Sequence, residues 1–493
     1  MMTPLGPWLP DQMQFNAAAA LDVKNVIPSG AGYLPFPSFG NVATALASRP
    51  RGAATFRSTT GVVHNFCGDD TKLYKLATDG LSFTDVSRTV GGAYAVAADG
   101  WWTFTQFGDQ VIASNNVDAT QVYDMAAGGN FAALAGSPPI AAFTGSIRDF
   151  VVLARVNTAY NRIQWSGIND STDWTAPPNS TMSDSQDFPD GGIIKGFVGG
   201  EYGVVFQERS IQRMAFEGPP TIFRFDKISN TLGCWIETSI AAYENMIFFC
   251  AHDGFYMVRG GSEITAIGNE KVDRWFSENV NATYNYRASA AIDPVRKLYL
   301  FSFASSASGD GTPDVTLIYH WPTGQWSKVE GSHSLIFTAS PQASYTMDGL
   351  DALSATADGL VYPFDSLFYT GSGNLVMAGF DTSFRMGFYN GLAMEATVET
   401  GDVQLTPGRK TLLRGMRPMI EGDGASITAT LRWRDRLQDA WTTGSAVTAN
   451  SNGYCAFRTN ARYHRARLVI PASAIWTRVT GLDDLKFSAM GAR

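Results

Sequence analysis

The residues best suited to chemistry are scattered through this chain. Histidine occurs five times, at His64, His252, His320, His333 and His464, and no pair has HxxxH or HExxH spacing. That spacing is what sets two imidazoles on one helical face to grip zinc. No GxSxG nucleophile elbow and no GxxxxGK[ST] phosphate loop occurs. His64 and His320 fall within alternating stretches and read as satisfied core or edge residues of strands. Asp184, Asp187 and Asp190, in SDSQDFPDGG, crowd three carboxylates together as a calcium loop does. They lack the D-x-D-x-D-G order, so a solvated loop is the better reading. Cys67, Cys234, Cys250 and Cys455 are far apart and form no CxxC. They read as buried small hydrophobes in a reducing cytosol. No catalytic residue, metal or cofactor is assigned, although a carboxylate pair of the glycosidase kind would meet only in space.

The elements that position these residues are strands. Leu317–Val329, LIYHWPTGQWSKV, alternates with period two, turns at Pro322-Thr323-Gly324 and returns through Trp326 and Val329. The unit recurs around Tyr74, Tyr123, Gln164, Met214 and Tyr256, with Tyr319 the sixth anchor. Successive anchors lie 49, 41, 50, 42 and 63 residues apart, a weak repeat of the roughly 40–50-residue unit of a propeller blade. Each anchor follows a short apolar strand, which follows a polar turn and another strand, making four strands per unit. Six units are visible, and Leu335–Asp365 is a candidate seventh. The long polar stretches Thr175–Asp190 and Ala304–Pro313 read as loops at blade edges. The fold class is therefore all-β, with a six- or seven-bladed propeller-like body over residues 51–367. Asn169–Trp174 approaches the Asp-box of propeller sialidases but lacks its Gly, and reads as a capped turn with Trp174 packed between blades.

Residues 1–50, rich in Pro and Gly, read as an extended arm. Its aromatics Trp8, Tyr33 and Phe36 pack either on the chain's own propeller or on a neighbouring subunit. Residues 368–390 read as a connector. Residues 391–493 hold well-separated strands (Ala393–Thr400, Leu412–Ile420, Ser426–Trp433, Tyr454–Thr459 and Ala466–Ile470) that predict a β-sandwich or jelly roll.

Charge divides the chain. The net is −8, yet residues 391–493 hold 14 Lys+Arg against 9 Asp+Glu, a net of +5, which leaves −13 for residues 1–390. An acidic body argues against phosphate-backbone binding and suits a surface that DNA slides past. Arg432, Arg434 and Arg436 alternate on one strand face, and Arg462, Arg465 and Arg467 flank Tyr463 and His464. These six are read either as an ion-paired face or as a contact to an acidic neighbour; a nucleic-acid surface would want more interleaved aromatics. With only 17% charged and 45% hydrophobic residues, disorder is not expected over most of the chain. No apolar run approaches a membrane span, and the N-terminus lacks the pattern of a signal peptide.

Several stretches together carry a resemblance: PLGPWLPD (Pro4–Asp11), KNVIPSGAGYLPFPS (Lys24–Ser38), WSGINDSTDWT (Trp165–Thr175), FQERSIQRM (Phe206–Met214), KVDRWF (Lys271–Phe276), SAAIDPVRKLYLFSF (Ser289–Phe303) and ARYHRARLVIP (Ala461–Pro471). The set resembles tail hub or nozzle proteins of short-tailed bacteriophages (podoviruses) and prophages, of the tail tubular protein B and packaged-DNA-stabilisation kind. The resemblance implies a structural virion protein of the viral tail, not an enzyme, assembled in the host cytoplasm. It implies a homohexamer ringing the DNA channel below the portal and head-to-tail adaptor, with tail fibre or needle proteins as further partners. DNA would pass through the lumen without sequence-specific binding. No functional residue transfers, because none of the matching stretches is catalytic. The alternatives are a receptor- or carbohydrate-binding propeller, marked by exposed Trp174, Trp235 or Tyr284, and a propeller glycan hydrolase.

Overall fold

The computed structural model describes residues 3–12, 19–175, 182–341, 350–351, 353–354, 356–363, 366–370, 374–423 and 426–491. Seven four-stranded antiparallel sheets form a ring. Their innermost strands are Ala53–Arg57, Thr103–Phe107, Ala141–Ile147, Ile194–Val198, Ile236–Tyr243, Ser289–Asp293 and Leu335–Ala339, numbered here as blades one to seven. Each innermost strand packs against the next, and blade seven packs back against blade one. The body is a seven-bladed β-propeller. All six sequence anchors fall on the third strand of their blades.

Local chemistry explains the blades. In blades two, three and five the first and second strands are joined by two-residue turns, as between Ile147 and Phe150 and between Tyr243 and Met246. Arg148 (φ 47°) and Glu244 (φ 52°) take the positive φ such turns need. Second strands such as Val63–Gly68, Met246–Ala251 and Leu298–Phe303 are buried along their whole length. Blades cover both of their faces, so Met246–Ala251 and Leu298–Phe303 read as near-continuous apolar runs, while Val63–Gly68 buries His64 and Asn65 as well. The outermost strands Ala132–Ala133, Asp184–Asp187 and Glu263–Ala266 are short, polar or exposed.

Blade seven differs from the expected one. Only Leu335–Ala339 lies in the expected stretch; the next strands are Val376–Phe380 and Arg385–Phe388, and the outermost is Gly40–Ala45. Ala357–Gly359 is a 3-10 turn, while Gly349, Ala355 and Asp365 lie outside the described residues. Residues 368–390 are thus not a connector: two strands of the propeller run through them, and the body extends to Phe388. The insertion between the first two strands of blade seven hid the period. Asp184–Asp187 likewise turns the expected loop 175–190 partly into the outer strand of blade three; residues 176–181 are outside the described set.

The N-terminal 50 residues are not a free arm. They supply strands Thr3–Pro4, Ala20–Lys24, Val26–Ser29 and Gly32–Pro35 to the second domain before closing blade seven. That domain is a β-sandwich of two six-stranded sheets. One sheet holds Val26–Ser29, Gly32–Pro35, Ile475–Ala489, Thr411–Asp423 and Cys455–Ala461, with Thr3–Pro4 on Ile475–Ala489. The other holds Ala20–Lys24, Ala396–Thr400, Tyr463–Ile470 and Thr428–Arg434, with Thr442–Thr443 and Val447–Thr448 both on Thr428–Arg434. Val23, Val398, Leu413, Leu431, Leu468 and Val479 form its core, which continues through Trp8 and Tyr33 to blades five and six. Among the described residues no helix is long and apolar enough to cross a membrane.

Asn25 pins the two domains together. It is buried, with φ 57°. Its N–H donates to Lys328 O (2.9 Å) and its Nδ2 to Glu395 O (2.8 Å), while its Oδ1 accepts from Glu330 N (3.0 Å). One side chain thus joins blade six to the sandwich. Asn tolerates the left-handed region that Ala resists. Asn25→Ala should cost about 2–4 kcal/mol by stranding buried partners, read as a lower urea midpoint; an unchanged midpoint would remove Asn25 from this role.

Burial holds the His333 imidazole well below its usual range, at about 4, beside Ser302 Oγ. Between pH 6.5 and 4 the unfolded chain takes up a proton that the folded chain refuses, so stability falls as pH falls through that window. Asp273, raised by burial to about 6, acts in the opposite sense. The difference between wild type and His333→Asn therefore isolates the histidine. The wild type should lose about 3 kcal/mol more than the variant between pH 7 and pH 4. Parallel pH profiles in urea denaturation would refute this.

Candidate functional site

The sequence-derived candidates lie in the sandwich domain and at its junction with the propeller. Trp8 is 1% exposed and meets Trp275 edge-on, with ring centroids 5.2 Å apart. Tyr33, also 1% exposed, donates from Oη to Gly6 O (2.7 Å), and Phe36 packs on Tyr389. Of the two readings for these aromatics the structure places them in the chain's own core, closed to a neighbouring subunit. Arg434 and Arg465 both reach the buried Asp402, Arg434 at 2.6 Å, and both lie over the Trp441 ring, at 4.3 and 3.9 Å. Arg432 pairs with buried Glu399 (3.1 Å), whose register partner on the next strand is Arg467. Burial raises the Glu399 carboxyl, and Arg432, Arg465 and Arg467 oppose that rise. Arg432, Arg434 and Arg465 are thus held in intramolecular ion pairs, on the sheet face opposite the Ala429, Leu431 and Leu468 core. Arg436 lies beyond the strand end and is exposed; Arg462 and Arg467 are half-buried.

Other expected features resolve locally. Thr172 N donates to Asp170 Oδ1 (2.8 Å), and Trp174 is buried between blades two and three with Ile112 and Leu153. Asp187 pairs with Arg162 and Asp190 faces Lys227 at 3.6 Å. Among the described residues no group of three or more His, Cys, Asp or Glu is placed to hold a metal. The four cysteines are buried and unbonded to one another.

A cluster of polar and aromatic side chains sits on the propeller axis, at the mouth facing the linkers between blades. A cavity of about 310 Å³ there is lined by Trp101, Trp235, Tyr286, Asn115, Asn116 and Asn285. Its floor carries an ion-paired cluster. The second strand of blade three shifts register around Arg155, whose φ of 55° turns its side chain out of the ladder. Its Nη1 reaches Glu237 Oε1 on blade five at 2.8 Å, and Lys195 of blade four reaches the same oxygen at 3.1 Å. The guanidinium lies over Trp101 and Phe143, at 5.3 and 5.0 Å. Glu237 Oε2, Arg155 Nε, Thr238 Oγ1 and Asn285 Oδ1 are buried without a partner, and Thr238 and Asn285 line the cavity too. Deeper, about 250 Å³ remains on the axis, walled by strands of all seven blades with Phe143, Phe197 and Phe337 facing it. The arrangement suits binding a polar ligand between aromatic walls. Trp235, stacked on His252, and Tyr284 are half-buried, not exposed tips.

Nothing in the sequence marked this cluster. Arg155, Lys195 and Glu237 belong to three blades and meet only when the ring closes. The one available signal was a charged residue within or beside an otherwise apolar inner strand.

No family model and no curated protein matches the chain. Solved structures similar to it include the β-propeller domain of Myceliophteria thermophila Cps50 (Swd1), at 9% identity over 70% of this chain and 98% of that one, with a TM-score of 0.40. The WD40 repeats of RRP9 align at 8% identity over 64% and 89%, with a TM-score of 0.39. The computationally designed Ika8 protein aligns at 10% over 71% and 99%, with a TM-score of 0.37. The propeller assignment stands on the seven closed sheets themselves.

Removing Arg155 leaves Glu237 with a single cationic partner. Arg155→Ala and Glu237→Gln should each destabilise by about 1.5–3 kcal/mol. The double variant should fall short of their sum by about 1 kcal/mol. Strict additivity in a denaturation cycle would show that the contact does not couple the blades.

Proposed function

We propose that this chain is a non-catalytic virion protein, a hub or nozzle subunit of a short bacteriophage tail. It assembles as a hexameric ring around the DNA channel below the portal and adaptor. It retains packaged DNA and conducts it during ejection, with tail fibre or needle proteins attached nearby. The reading begins from the sequence resemblance. The observation that supports it is the double use of the N-terminal segment. Residues 20–35 build the sandwich and residues 40–45 close the propeller, so the two domains act as one rigid part. A rigid part with a −13 portion and a +5 portion suits a closed ring, where heterologous contacts repeat and opposite charges set register.

A second reading is favoured by the channel mouth. Aromatic walls, three Asn side chains and unpartnered polar atoms suit a receptor- or carbohydrate-binding propeller.

Light scattering on the purified chain, alone and with a portal–adaptor complex, separates the readings. Six copies joining that complex is the expected result. A stable monomer or trimer that ignores the portal would overturn the ring and leave the binding propeller in first place.

A further inference from the structure

The same linker face holds a larger cavity, about 730 Å³, between blades six, seven and one. Three guanidiniums line it. Arg49 and Arg51 lie in the linker that follows the closing strand Gly40–Ala45, and Arg287 ends the helical turn Ala282–Arg287 before blade six. Among the described residues no carboxylate lies at ion-pair distance from any of them. They donate to backbone carbonyls instead: Arg49 to Ala98 O (3.1 Å), Arg51 to Ala97 O, and Arg287 to Asp310 O (2.9 Å). Arg51 Nε and Arg287 Nε are buried with no acceptor. Burial, and then the charges of Arg51 and Arg287, push the Arg49 guanidinium down to about 10.

Three carboxylates share the cavity, and other donors already hold them. Ser48 Oγ donates to Asp70 (2.5 Å). Thr312 N and Oγ1 donate to Asp310 (2.9 and 2.8 Å). Ser305 N and Oγ donate to Asp314, both at 2.7 Å. The three carboxylates match the three guanidiniums in formal charge, but each is turned to a hydroxyl or backbone donor, so the guanidinium forks are left without a carboxylate partner.

We propose that Arg49, Arg51 and Arg287 form a binding site for a small phosphate-class oxyanion at the seam where the propeller closes. A guanidinium offers a planar fork of donors that matches phosphate oxygens. A compact ligand fits better than a nucleic acid. A strand needs a row of cations along its backbone, whereas Asp70, Asp310 and Asp314 would face its further phosphates. The hydroxyls of Ser332 and Thr382, in the same cavity, supply neutral partners for a phosphate or the sugar bearing it. The inference holds whether or not the chain is a tail subunit.

Calorimetry on the full chain at low salt tests it with three probes: inorganic phosphate, glucose 6-phosphate and a short single-stranded oligonucleotide. Phosphate and the ester should bind one to one, raise Tm, and weaken at least tenfold in Arg49→Gln and Arg287→Gln. Arg436→Gln should bind as wild type. Circular dichroism checks that the variants fold; if either glutamine variant does not, Arg287→Lys, which keeps the charge and loses the fork, takes its place. Tighter binding of the ester assigns a sugar phosphate, and equal binding assigns free phosphate. No heat and no Tm shift with either probe, or undiminished binding in the variants, would overturn the site. An oligonucleotide held by these arginines more tightly than the ester would replace it with a nucleic-acid surface.

Discussion

The structure depends on one crossing. Residues 20–45 leave the sandwich, pass blade six and finish as the outer strand of blade seven. The sandwich takes its strands from residues 3–35 and 396–489, so the propeller is inserted between two parts of one β-sandwich. Neither domain is complete without the N-terminal segment. Backbone accounting enforces this. Arg385–Phe388 would present an unpaired edge without Gly40–Ala45, and an open edge invites pairing with another chain. The strand approaches so closely that a Cβ on Gly387 would sit 2.0 Å from Gly40 O. At the junction, Ser327 Oγ donates to Val26 O (2.7 Å), and Lys328 pairs with Asp22 and Glu330. Pairing residues this distant in sequence has a loop-closure cost that local blade hairpins do not carry.

Charge is used in the same way, to join elements distant in the chain. Asp402 between Arg434 and Arg465 under Trp441, and Glu237 between Arg155 and Lys195, are mostly buried. Desolvation offsets much of what such pairs gain, so apolar replacements often match them in stability. Their value is positional. Asp402 follows the strand Ala396–Thr400 and receives arginines from two further strands of the same sheet. Glu237 gathers three consecutive blades on the axis. Half of the six arginines that look in sequence like an adhesive face, Arg432, Arg434 and Arg465, fasten strands of one sheet to each other.

What was legible follows from period and turn chemistry. Tyr74, Tyr123, Gln164, Met214, Tyr256 and Tyr319 mark third strands because each blade repeats one local hairpin pattern, and hairpins are encoded by near neighbours. Trp174 was readable as inter-blade packing for the same reason. Blade seven was not, because its strands are separated by an insertion and its last strand lies some 340 residues upstream. The N-terminal segment was misread for a chemical reason. Pro4, Pro28 and Pro35 argue against central strands, and they occupy Thr3–Pro4 and the hairpin Val26–Ser29/Gly32–Pro35 at the sheet margin, where a missing N–H is tolerated. The two arginine-bearing cavities were invisible, since their residues converge from different blades and linkers.

The propeller axis constrains the proposed tail role. Phe143, Phe197 and Phe337, each under a tenth exposed, face the axis, and the space left there is about 250 Å³. That volume holds a small molecule, not a duplex. On the tail reading the lumen is therefore a space between copies, and its wall is the outside of the subunit. The outer strands of blades two and three, Ala132–Ala133 and Asp184–Asp187, are poor at edge-to-edge pairing, being short or polar, whereas that of blade four, Phe223–Ser229, is longer. Ring contacts then fall to side-chain surfaces: the linker and loop faces of the propeller and the sandwich with its exposed Arg436 and Ile475. Because one crossing strand fixes the sandwich to the propeller, a contact made by either domain sets the orientation of the other, and in the proposed ring that would hold the acidic body at one angle in every copy.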